Sequence, residues 1–290
     1  MTHAEYLANK KNSIIELDHK PDYKGELNKL SAKEAIKIID LQSEYENTIP
    51  KLIDPNTNKP YLMVNIAAIV LHQDMEVGED ALTSYIPKII AGTTNNHHFV
   101  IDKEGVIFQL NPIMRAVSHC KYTKYSKRAN EYFGDDICPL YEDTKTSPHD
   151  KFVSPNLKTL SICLPKIDEE GNIGNAAYTS LMRLCAYLIN RHAPALQAQA
   201  NIICNYYIPE DNSNHKDPLC FYSENDYSNL TREQIAEILK DDSKESEKDK
   251  RYLRFRYDVE RLRGDWLIKY RNKSIVRGFP DIIYQNLVKN

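Results

Sequence analysis

No stretch of these 290 residues comes near the ~20 consecutive apolar residues that a helix needs to cross a bilayer. The opening Met1-Thr2-His3-Ala4-Glu5 also has no basic stretch followed by an apolar one. The expectation is a cytoplasmic chain, with secretion or delivery to a cell wall as the alternative. Neither sign of charge is in surplus: 38 basic against 41 acidic residues give a net charge of −3, and that balance gives no reason to expect a nucleic-acid partner. The six cysteines contain no CxxC pair and no small-domain framework, so they read as reduced thiols rather than a disulfide scaffold. Glycine is scarce, at nine residues, while 41% of the chain is hydrophobic. Such a chain can bury one large core with appendages.

What the sequence does have is a central stretch over 65–110. Residues 66–71 are continuously apolar and end on His72, the pattern of a strand buried on both faces with a polar residue at its rim. In α/β proteins that rim is where chemistry collects. A helical segment follows over 81–90, then a hairpin from His97 to Leu110 turning at Asp102-Lys103-Glu104-Gly105. Upstream, Ala32, Ala35, Ile36, Ile38, Ile39 and Leu41 fall near helical spacing, and Ser31 with Glu34 forms a capping-box pair, so a helix is expected over 31–44. Pro50, Pro55 and Pro60 mark a turn-rich approach to the central strand.

Downstream, 122–155 is rich in tyrosine and lysine without periodicity and reads as a long surface insertion. A second buried-type strand is expected over 159–165, a turn at 169–172 and a helix over 175–192 with Leu181, Leu184, Cys185, Leu188 and Ile189 on one face. A third strand is expected over 201–206, and a loop then carries His215-Lys216-Asp217-Pro218. Residues 231–240 read as helix, 241–250 as a solvated charge run, and 251–270 as an amphipathic helix that packs its rings on the core.

A strand ending in His, then His-Phe-Val-Ile-Asp-Lys-Glu-Gly-Val-Ile-Phe-Gln, then Ala116-Val117-Ser118-His119, a strand, a long helix, a strand and a loop with Asp-Pro resembles the zinc-dependent N-acetylmuramoyl-L-alanine amidases, which share their fold with peptidoglycan recognition proteins. The resemblance covers about 65–221 in order, and the hairpin is its most specific part. It implies an α/β fold, a mixed central sheet flanked by helices, here with helical extensions at both ends. The boundaries expected are 1–60 for an N-terminal extension, 61–224 for the amidase-like domain and 225–290 for a charged helical extension. The activity implied is hydrolysis of the amide between N-acetylmuramic acid and L-alanine in peptidoglycan or muropeptides.

In that family two histidines and an Asp or Cys hold one zinc, leaving a position for water. Carried over residue by residue, His72 matches the first metal histidine and Asp217 the carboxylate ligand. Asn205 stands where the second histidine is expected, and an amide oxygen is a poorer zinc donor. His97 stands for a tyrosine, His215 for a lysine, Cys163 for a glutamate and Ser118 for an aromatic residue.

Three arrangements answer these departures. In the first the zinc site is His72, His215 and Asp217, with His97 or Lys216 as acid or oxyanion stabiliser. In the second the domain has no metal and binds muramyl peptide or a protein partner without cleaving it. In the third Cys163 with a nearby histidine forms a nucleophile pair. His119 and Asn205 are the candidates for touching substrate, while His98 reads as a structural residue beneath the groove.

Overall fold

The computed structural model describes residues 14–17, 36–63, 66–120, 126, 154–191, 201–210, 216–227, 229–240 and 245–273. In chain order the elements are β1 (Ile14–Leu17), β2 (Ile36–Asp40), a short helix α1 (Gln42–Tyr45), the two-residue strands β3 (Ile53–Asp54) and β4 (Lys59–Pro60), and β5 (Ala68–His72). A π-helical turn, Ala81–Tyr85, then runs into α2 (Ile86–Ile90), followed by β6 (Phe99–Ile101), β7 (Ile107–Gln109), β8 (Thr159–Cys163), α3 (Asn175–Arg191), β9 (Asn201–Cys204), α4 (Arg232–Lys240) and α5 (Glu247–Lys273).

Seven strands make one mixed sheet in the order β1-β2-β7-β6-β8-β5-β9, and β3 with β4 forms a separate hairpin. The strand β5, apolar up to His72, runs parallel to β8 on one side and β9 on the other, as strands buried on both faces do. The hairpin over 97–110 is present as β6 antiparallel to β7, turning at Gly105, whose φ of +81° only glycine adopts without strain.

Period-two alternation divides the core. Ile69 and Leu71 of β5, with Leu160 and Ile162 of β8, face the apolar stripe of α3, in which Leu181, Leu184, Cys185, Leu188 and Ile189 are all buried. Each such side chain contributes roughly 1.5–3 kcal/mol of burial before the entropy of ordering it. On the opposite face Val100, Phe108 and Cys163 pack under Leu82, Tyr85, Ile86 and Ile89 of the α2 segment. Ala68 and Val70 lie on this second face, and His72 continues their alternation at the C-terminal end of β5.

The helix expected over 31–44 is corrected. Residues Ile36–Asp40 form β2, parallel to β7, and helix is confined to Gln42–Tyr45, while 31–35 fall outside the described residues. Adjacent isoleucines satisfy either period over so short a run. Pairing decides the matter: Ile38 and Ile39 sit opposite Ile107 and Phe108 and are buried on the two faces of the sheet. The segment 1–60, expected as an extension, thus contributes two strands to the sheet.

The third strand stops at Cys204, where a 3-10 turn over Asn205–Tyr207 begins. The charge run expected over 241–250 is in part helical, since Glu247 to Lys250 open α5. That helix packs on the core as expected: Phe255 stacks on Phe221 with ring centroids 4.0 Å apart, and Val259 and Leu262 are buried beside it. Nearly all of the insertion expected over 122–155 lies outside the described residues.

Candidate metal centre

The C-terminal end of β5 delivers a fully buried histidine to the rim of the sheet. His72 Nε2 lies 2.9 Å from His119 Nδ1, and His119 Nε2 lies 2.8 Å from Thr159 Oγ1. The loop carrying His119 is clamped by Asn156, whose Oδ1 accepts from the backbone N–H groups of His119 and Cys120 and whose Nδ2 donates to the Cys120 carbonyl.

The proton positions in this chain follow from its far end. Thr159 Oγ1 is 2.8 Å from the Pro155 carbonyl, a pure acceptor, so the hydroxyl proton points there. The oxygen must then accept from His119 Nε2–H. Burial holds His119 well below the usual histidine range, so the ring is neutral and its Nδ1 is an acceptor. That acceptor takes the proton of His72 Nε2, so in the neutral ring the lone pair of His72 is on Nδ1, as in a metal-ligating histidine.

His72 Nδ1 has no hydrogen-bond partner among the described residues and faces Asp217 Oδ2 at 3.5 Å. Asp217 is fixed as a carboxylate acceptor by the backbone N–H of Gln73 on Oδ1 and by Asn205 Nδ2, 3.0 Å away, on Oδ2. An imidazolium hydrogen-bonded to a carboxylate would sit at about 2.7–2.9 Å. Two zinc donors with bonds of 2.0–2.1 Å at tetrahedral angles are about 3.3 Å apart. The observed spacing is close to the second value, so the pair fits a divalent cation.

Gln73 braces this corner from behind. Its Nε2 donates to the carbonyls of Pro165 and Gly171, both at 2.8 Å, and its Oε1 accepts from the N–H of Leu219 at 3.1 Å. Gly171, at φ +73°, leaves that room: a Cβ there would stand 2.7 Å from Leu219 Cβ and 2.9 Å from Gln73 Oε1.

Two donor sets share His72, one with His119 and Cys120 and the other with Asp74 and Asp217. The first is buried throughout and already joined by the His72–His119 hydrogen bond; burial also pushes the Cys120 thiol well up, so it remains protonated 3.2 Å from His119 Nδ1. The second set holds acceptors on all three members and is partly open to solvent.

Asp74 was missed by sequence reasoning, although its spacing from His72 carries a signal. A residue two beyond a strand-end ligand shares its face. Asp74 Oδ2 lies 3.1 Å from His97 Nε2 and accepts from Asn95 Nδ2 at 2.9 Å. Burial raises the Asp74 carboxyl, but the hydrogen bond donated by His97, with a further one from Asn95, outweighs it and holds the group below the ordinary carboxylate range.

The other sequence candidates fall in different places. His97 is fully buried, its centroid 5.0 Å from that of His72, with Nε2 also 3.0 Å from Tyr85 Oη and Nδ1 without a partner among the described residues. Burial lowers its pKa against the opposing effect of the hydrogen bond that it donates to Asp74. His119 and Asn205 each contact a candidate ligand directly, so both sit as braces around His72 and Asp217. Cys163 lies opposite His72 across β5 and β8 but inside the apolar cluster, and burial pushes its thiol well up, which is the setting of a small hydrophobe and not of a nucleophile. Lys216 is exposed, with Nζ 3.2 Å from Glu224 and 5.1 Å from the centre of the Tyr222 ring. His215 lies outside the described residues.

The sequence matches no protein-family model and no curated protein. Among solved structures it is similar to the endolysin N-acetylmuramoyl-L-alanine amidase LysCS from Clostridium intestinale, 18% identical over 57% of this chain and 90% of that one, with a TM-score of 0.31. It is also similar to a mutant endolysin from Bacillus subtilis, 20% identical over 59% of this chain and 89% of that one, with a TM-score of 0.35. A third is AmpDh3 from Pseudomonas aeruginosa in complex with an anhydromuramic pentapeptide, 15% identical over 68% of this chain and 76% of that one, with a TM-score of 0.36. No helix among the described residues is long and apolar enough to cross a membrane.

Proposed function

We propose that this chain hydrolyses the amide bond between N-acetylmuramic acid and L-alanine in peptidoglycan or muropeptides, using a divergent zinc site. The observation that carries the reading is the buried Nδ1 of His72, without a hydrogen-bond partner among the described residues, facing the Asp217 carboxylate at 3.5 Å. Both residues stand where the resemblance to the zinc amidases puts metal ligands. Zinc held by His72 and Asp217 would polarise the scissile carbonyl and lower the pKa of a bound water towards ~7.

The chain's own residues do the rest. Thr159 and His119 hold His72 in the tautomer that offers Nδ1. The Gln73 N–H and the Asn205 amide orient Asp217. His97 carries one proton and has a free Nδ1 beside His72; it takes a proton there from the attacking water and passes it to the alanine nitrogen as the C–N bond breaks. His215 and Lys216 lie on the loop that brings in Asp217, and either is a source of positive charge for the developing oxyanion.

A second reading has one observation in its favour. Asn205 donates to Asp217 where the family has an imidazole, as in a module that binds muramyl peptide or a protein partner without cleaving it. Incubation of the zinc-loaded chain with purified muropeptides, read by mass spectrometry, separates the two. Release of peptides with a free L-alanine amine, abolished by chelator and by His72→Ala, is expected. Muropeptide that binds but is recovered intact contradicts hydrolysis and leaves the binding module.

A further inference from the structure

We infer that Asp74 supplies the third protein ligand of this metal site, in the role that the resemblance gives to a second imidazole. The inference rests on the metal-dependent reading above and assigns its ligand set. A ring nitrogen of His72 and one carboxylate oxygen each from Asp74 and Asp217 lie within 4.8 Å of one another. The side chain of His72 has no exposed surface, and its Nδ1 is aimed into this cluster without a hydrogen-bond partner. Three groups that can each offer a lone pair converge on one point, the arrangement in which a bound cation relieves their repulsion.

Asn205 does not complete the set, because its Nδ2 faces Asp217 and makes it the outer partner of a ligand. Asp74 has what a ligating carboxylate needs. It shares the face of His72, since Gln73 between them is turned away and tied to Pro165, Gly171 and Leu219. It is oriented by His97 and Asn95, as metal-binding carboxylates are by their own partners, and a carboxylate with about four lone-pair sites keeps capacity for a metal beyond those two bonds. The resulting set of one imidazole and two carboxylates is harder than two imidazoles and one carboxylate, so manganese should compete with zinc here better than at the family's site.

The test uses the full chain, stripped by chelator and titrated with zinc against a chromophoric competitor, for wild type, Asp74→Asn, His97→Gln and His215→Ala. Loss of an outer partner costs about 10–100-fold in metal affinity. Asp74→Asn should exceed that range, His97→Gln, which keeps the carboxylate, should stay within it, and His215→Ala should bind as wild type. Asp74→Asn no weaker than His97→Gln, or His215→Ala losing the metal, overturns the assignment while the zinc reading stands. X-ray absorption at the zinc edge of the unmutated protein reads the shell without any risk to folding: one imidazole supports Asp74, and two overturn it. A wild-type chain that takes up no zinc removes the metal reading itself, and the assignment with it.

Discussion

His97 and His98 are neighbours in sequence and belong to opposite kinds of environment. His98 lies on the floor of the site with both ring nitrogens engaged: Nδ1 accepts from the Ser161 N–H at 3.1 Å, and Nε2 donates to the Arg115 carbonyl at 2.8 Å. At the mouth, His97 and His72 are equally buried, yet each leaves Nδ1 without a partner among the described residues. A buried polar atom without a partner costs about 1–3 kcal/mol, a cost that the fold avoids at His98 and carries at the two neighbouring histidines, where the metal site is proposed. The floor is saturated with hydrogen bonds and the mouth is not.

The largest effect expected from this difference is in acid. Burial holds His98 at about 3, with the Arg115 hydrogen bond opposing, whereas an unfolded histidine titrates near ~6.5. Between those values the unfolded chain binds a proton that the folded one does not, so the stability that neutral His98 lends is complete above about pH 6.5 and is lost as pH falls towards 3. The full span is worth about 3–5 kcal/mol. Urea unfolding from pH 7 to 4 should show a slope that His98→Phe flattens; equal slopes would mean that the floor is wetter than described.

Next comes the direct exchange of the two rings for phenylalanine. His98→Phe strips partners from Ser161 and Arg115 and should cost about 2–4 kcal/mol. His72→Phe removes one donor from His119, which keeps the Cys120 thiol nearby, and relieves the facing lone pairs, so about 1 kcal/mol is expected. Equal losses by denaturant titration would erase the distinction between floor and mouth.

Much of this was legible in the sequence. Apolar runs closed by turn residues marked β5, the β6–β7 hairpin, β8 and α3, because strands and helices that are buried leave a local pattern. The strand β2 was read as helix, since Ile36-Lys37-Ile38-Ile39 carries both periods and only its pairing with β7 selects one. His72 and Asp217 are singled out by the pattern through which the sequence resembles the zinc amidases, whereas Asp74 is outside that pattern and shows itself only as a face-mate of His72. The two hydrogen bonds of His119 that pass the proton order on to His72 join residues 40 and 47 apart in sequence, beyond the reach of any local signal.

Gly171→Ala should disturb the mouth through its brace. The positive φ and the crowding against Leu219 and Gln73 predict about 1–3 kcal/mol of destabilisation by thermal unfolding, with weaker zinc binding because Gln73 supports Asp217. Full zinc affinity in that variant would detach Gln73 from the site.

The smallest effect lies at the outer edge of the floor, where the Arg115 guanidinium bonds to both oxygens of Glu46 at 2.7 and 2.8 Å. Those bonds, with help from Lys51, pull the Glu46 carboxyl down to about 2 from its ordinary 4.5. A depressed carboxyl stabilises above its unfolded pKa, and that contribution is lost as pH falls from about 4.5 through 2. Glu46 is 39% exposed, so solvent screening should keep the difference between wild type and Glu46→Gln under about 1 kcal/mol at pH 6. A larger difference would make the pair part of the buried floor.

The most direct test of the mouth as a metal centre is elemental analysis of the purified chain beside His72→Ala and Asp217→Ala. About one zinc per chain, lost in both variants while they remain folded, is the result expected from a cation between His72 Nδ1 and Asp217. A folded wild-type chain that holds no zinc even after zinc is supplied would contradict it.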